Sequence, residues 1–100
     1  MKIITTYDQS GAFSGVLDLP EGMELLFLDN EPDFSGLRLY VLHDSAAEKY
    51  ESWNFTSYPA GQFMPDEPGM FVGSYELEFP GINGSRVRFF LYAKLITQRE

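Results

Sequence analysis

Apolar and polar residues alternate along the last third of the chain. From Met70 to Phe79, Phe71, Gly73, Tyr75, Leu77 and Phe79 fall on one parity and Ser74, Glu76 and Glu78 on the other. From Arg86 to Ile96, Val87, Phe89, Leu91, Ala93 and Leu95 alternate with Arg86, Arg88, Phe90, Tyr92, Lys94 and Ile96. A period of two is the mark of a strand with one buried face. The link Pro80-Gly81-Ile82-Asn83-Gly84 carries an Asn-Gly pair, which favours a tight hairpin turn. The two segments are therefore expected to pair antiparallel, with Glu76 and Glu78 close to Arg86 and Arg88. Opposite charges there would set the register.

The same reading places strands upstream. Lys2–Tyr7 and Ala12–Asp18 are two. Glu24–Leu28 is apolar on both parities, which suggests a central strand covered on both sides. Leu37–His43 puts Leu37, Leu39, Val41 and His43 on one face. In the segment from Tyr50 to Pro59, Trp53 and Phe55 share a parity and are expected to pack into the core. Asp44–Tyr50 is the one helical candidate: Asp44 or Ser45 can cap it, and Ala46, Ala47, Glu48 and Lys49 favour it. Between these segments lie Ser10-Gly11, Pro20-Glu21-Gly22, residues 30–36, Pro59-Ala60-Gly61, residues 65–69 and residues 80–84. Short strands broken by frequent turns argue for an all-β chain, a small antiparallel β-sandwich or barrel of six to eight strands with one short helix.

Composition narrows the functional classes. The chain has 100 residues, the size of a single globular domain over residues 1–100. Its hydrophobic fraction of 44% is too high for a disordered acidic tail. It lacks cysteine, which removes disulfides and thiolate metal sites. Without a long apolar run or a signal-like N-terminus, the expected location is cytoplasmic, in the host cytoplasm if the chain is viral.

Charge is the strongest pointer to a partner. Residues 1–85 hold fourteen carboxylates against Lys2, Arg38 and Lys49, a net of −11. Residues 86–100 carry Arg86, Arg88, Lys94 and Arg99 against Glu100, a net of +3, so the whole chain is −8. Such a body repels nucleic acid and anionic membranes and is drawn to basic surfaces. The expected partner is a protein with a basic surface, with no direct nucleic-acid or membrane contact. Candidate contacts are Asp29, Glu31 and Asp33 on one loop, Asp66 and Glu67 on another, and Asp18, Glu21 and Glu24 around the Pro20 turn. Spaced carboxylates can stand in for phosphates in a cationic groove, and the attraction is steered and salt-sensitive. In type, a small acidic domain without cysteine is similar to phage-encoded inhibitors of host defence, although no motif supports that likeness.

The alternative is a self-assembling structural module, a virion or appendage component. It would pack through the C-terminal strand as a homo-oligomer, with Phe90, Tyr92, Arg86 and Arg88 as interface candidates. Weaker still is a calcium- or sugar-binding sandwich, resting on the Asp29–Asp33 loop and on Trp53. That loop lacks the glycine and spacing of an EF-hand. His43 is the only histidine, and no nucleophile elbow or phosphate loop accompanies it. No catalytic residue, metal or cofactor is expected, and an enzyme is the least favoured class.

Overall fold

The computed structural model describes residues 1–30, 36–79 and 85–96. Seven strands form there: β1 (Lys2–Ser10), β2 (Gly15–Pro20), β3 (Glu24–Asp29), β4 (Gly36–Asp44), β5 (Tyr50–Pro59), β6 (Met70–Phe79) and β7 (Ser85–Leu95). They make two antiparallel sheets, a three-stranded one ordered β1-β4-β3 and a four-stranded one ordered β2-β5-β7-β6. The chain is all-β, as the alternation implies.

The expected helix over Asp44–Tyr50 does not form. The Asp44 carboxylate accepts the Ala46 N–H at 2.9 Å, and the Ala47 N–H bonds back to the Asp44 carbonyl at 3.1 Å. These bonds close one turn at the end of β4. The chain must then reach the other sheet, where the Lys49 carbonyl accepts the Glu21 N–H at 2.9 Å. The capping bond is made, but the chain leaves the turn at once to cross between the sheets, so no helix follows it.

One face of each sheet supplies the core. Leu37, Leu39 and Val41 of β4 are fully buried, as the reading of Leu37–His43 required. Across from them lie Leu19, Phe55, Tyr75, Leu91 and Ala93 from the four-stranded sheet. Trp53 packs against this cluster on the same face as Phe55. Phe13, in the β1–β2 link, plugs the interior with its ring 5.3 Å from Phe55 in an edge-to-face pair.

Two bulges overturn local readings. A register shift between Leu25 and Phe27 turns Phe27 outward, 60% exposed and paired with Tyr40. The sheet order β1-β4-β3 also makes β3 an edge strand, not the central one expected from Glu24–Leu28. A second shift, between Phe71 and Gly73, sets Phe71 opposite Tyr92 on the outer face, while Gly73 and Tyr75 stay inside. An extra residue in one strand reverses which face its neighbours present. By contrast, β6 and β7 pair Glu76 with Arg88 and Glu78 with Arg86, as the charges require. The Asn83-Gly84 turn lies outside the described residues.

Candidate functional site

The carboxylates singled out from sequence do not converge on one face. Asp18 points outward from β2 and accepts the Ser52 hydroxyl at 2.6 Å. Glu24 and Asp29 begin and end β3, on the outer face of the opposite sheet. Asp66 and Glu67 sit in the β5–β6 connection. Glu31 and Asp33 lie outside the described residues, as does most of the loop considered for calcium. Among the described residues no group of acidic or histidine side chains is arranged to hold a metal ion.

What does gather is an acidic end. The β2–β3 turn and the β4–β5 link are tied by the Glu21–Lys49 backbone bond. Together they line a shallow recess of about 330 Å³ with Glu21, Asp44, Ala46, Ala47, Glu48 and Lys49. Asp44 lies 3.8 Å from the N-terminal amine. The Ala46 N–H, and then that amine, hold the Asp44 carboxyl below its ordinary 3.8. It therefore stays charged to lower pH than a free aspartate. Glu21 was expected at a binding surface. Asp44 and Glu48 were not, because they read as helix and only the sheet-to-sheet return brings them beside Glu21.

The basic C-terminal strand is largely neutralised. The Arg88 guanidinium lies 3.7 Å from Glu76 and donates to Ser74 at 3.0 Å, and Arg86 lies 4.0 Å from Glu78. Phe90 and Tyr92 point away from the core yet are half-buried. Tyr92 meets Tyr58 and Phe71 edge to face, at 5.9 and 5.4 Å between ring centroids. β5 and β6 run parallel on either side of β7, so residues 60–69 carry the chain across that strand. Both ends of this crossover are tethered to β7. The Ala60 N–H donates to the Arg88 carbonyl at 2.9 Å, and the Lys94 ammonium donates to the Glu67 carbonyl at 3.2 Å. Between the tethers Phe63 is fully exposed.

His43 has an ordinary structural setting. Its Nε2 lies 2.7 Å from the Thr5 hydroxyl and its Nδ1 2.9 Å from the Asp44 carbonyl. Among the described residues no helix is long and apolar enough to cross a membrane. The chain matches no protein-family model, no curated protein and no solved structure.

Proposed function

We propose that this protein is an acidic, non-catalytic protein-binding module of β-sandwich form. On this reading it occupies a basic, nucleic-acid-binding surface of a partner protein, as a phage-type inhibitor does. Its place of action is the cytoplasm, that of the host if the chain is viral. The observation that carries the reading is the acidic end. There Glu21, Asp44 and Glu48 outnumber Lys49 around one recess; Asp44 is paired with the N-terminal amine, and among the described residues Glu21 and Glu48 make no ion pair. Carboxylates held in the open at the end of a −8 body present a field that a cationic groove can meet. Asp18, Glu24, Asp29, Asp66 and Glu67, which lie on other faces, add to the overall negative charge of the body and make no ion pairs among the described residues.

The test is a pull-down of the tagged protein from its native lysate at low salt, eluted by a salt gradient and read by mass spectrometry. The expected result is a basic, nucleic-acid-binding protein released as ionic strength passes about 0.1 M, where exposed charges are screened beyond about 10 Å. The double variant Glu21→Lys, Glu48→Lys should release it at lower salt. Salt-independent capture, or capture indifferent to the double variant, would sink the reading. A second reading, a self-assembling structural module, is favoured by exposed Phe71 in edge contact with Tyr92 on the outer face of β6 and β7.

A further inference from the structure

Four strands lie at sheet edges: β1 and β3 in one sheet, β2 and β6 in the other. Three are blunted against pairing with another chain. β2 is six residues long and closes on Pro20, while β3 and β6 are bulged. Short edges, prolines and bulges are the usual means of discouraging edge-to-edge association. β1 has none of them. It runs nine residues without glycine or proline and keeps unbroken register with β4 from Lys2–Asp44 to Ser10–Gly36. Among the described residues β4 is its only strand neighbour. Ile3 points toward the core side and Ile4 away from it, yet they are 48% and 54% exposed. Both faces are therefore open at the N-terminal end of this edge, while Thr5, Tyr7 and Gln9 on the core side are half-buried.

The strand is also complementary to itself. An antiparallel pairing about a two-fold axis perpendicular to the sheet must keep side chains of the same parity opposite one another. With the axis at Thr5, Lys2 faces Asp8 of the second copy, Ile3 faces Tyr7, Ile4 faces Thr6, and Thr5 faces its own counterpart. Every pair is of a kind that stabilises sheets: opposite charges, β-branched with aromatic, and β-branched with threonine. Moving the axis to Thr6 sets Ile4 against Asp8 and Ile3 against Gln9. Moving it to Ile4 leaves only residues 2–6 paired. Lys2 and Asp8 are the only charged side chains of β1; Asp8 is held by Arg38 of β4 at 2.8 Å, so Lys2 of the second copy joins an ion pair already present.

From this complementarity we infer that the protein forms a homodimer through antiparallel β1–β1 pairing centred on Thr5. The two three-stranded sheets then join as one six-stranded sheet. The pairing is argued from β1 alone and does not depend on what the acidic recess binds.

The chain contains no cysteine, so single cysteines report this geometry cleanly. Light scattering behind size exclusion should give twice 11.4 kDa for the full chain. Under mild oxidation Thr5→Cys should form the covalent dimer in high yield, because cross-strand partners lie about 4.5–5.5 Å apart at Cα. Thr6→Cys, which faces Ile4 of the second copy, should cross-link several-fold less. Ile3→Lys places a charge against Tyr7 of the second copy and should return the monomer with an unchanged circular dichroism spectrum. A monomer at every concentration up to the millimolar range overturns the proposal. A dimer in which Thr5→Cys cross-links no better than Thr6→Cys, or which survives Ile3→Lys, overturns it equally.

Discussion

The Tyr75 hydroxyl donates to the Ser57 hydroxyl at 2.5 Å, and together the two side chains hold Phe13 inside the fold. The Ser57 hydroxyl donates to the Phe13 carbonyl at 2.6 Å, and the Tyr75 oxygen accepts the Phe13 N–H at 3.0 Å. Each hydroxyl donates once and accepts once. The closed triangle satisfies the backbone of a link residue that would otherwise bury an N–H and a C=O without partners. Tyr75 is 2% exposed, so water does not substitute for it.

Tyr75→Phe removes the acceptor for the Phe13 N–H and the donor to Ser57 while leaving the ring in place. A buried donor left without a partner costs about 1–3 kcal/mol. Urea unfolding should show a loss of that size with an unchanged slope. A loss below about 0.5 kcal/mol would mean that the triangle adds nothing to stability.

Gly36 is required by proximity. A Cβ there would run into the Gln9 carbonyl oxygen and the Ser10 Cα, both backbone atoms of β1 that no rotamer change can move. Gly36→Ala must therefore push β1 away from β4 at the start of the ladder. Overpacking of this kind costs about 1–3 kcal/mol. Whichever amide of Gln9 and Ser10 bonds to β4 should lose protection first, as read by hydrogen exchange.

The Trp53 indole N–H is the one buried side-chain polar atom without a hydrogen-bond partner among the described residues. Trp53→Phe gives up some packing but also removes the orphaned donor, and these effects oppose each other. The variant is expected to stay within about 1 kcal/mol of the parent, because the unpaired donor by itself costs about that much or more. Phe55→Ala, by contrast, empties the core beside Phe13 and should cost about 3–5 kcal/mol. A Trp53→Phe loss approaching that of Phe55→Ala would show that the indole is satisfied.

Acid should weaken the fold through two carboxylates. The Asp8 carboxyl is held below its ordinary 3.8 chiefly by the hydrogen bond from the Arg38 guanidinium, at 2.8 Å. Asp44 is held below the same value by the Ala46 N–H and the N-terminal amine. Both pKa values are depressed on folding, so their contribution is fully present above 3.8 and is lost as pH falls through the lower folded values. The stability difference between the parent and Asp8→Ala or Asp44→Ala should shrink between about pH 6 and about pH 2. A difference that holds constant over that range would separate these residues from the acid response.

Some of this was legible in the sequence because strand parity is local. Leu37, Leu39 and Val41 lie inside, and the β6–β7 charges meet in the expected register. Tertiary structure took over where one residue changes parity, as at the bulges that expose Phe27 and Phe71. It also decided the return from Asp44 to Tyr50, where the need to cross between sheets outweighed the helix preference of Ala46 and Ala47. The acidic recess was hidden for the same reason. Glu21 and Glu48 are 27 residues apart in sequence, and a backbone bond across the two links brings their segments together.

By itself, the sequence determined an all-β chain, its core parity in β4 and β7, the pairing of β6 with β7 and the acidic balance of the body. Each depends on alternation or on charge, which neighbouring residues carry regardless of the rest of the fold. Only the tertiary structure decided which strands are edges, which carboxylates share a surface and whether the arginines of β7 are free. Those properties depend on which segments become neighbours, and long-range pairing sets that.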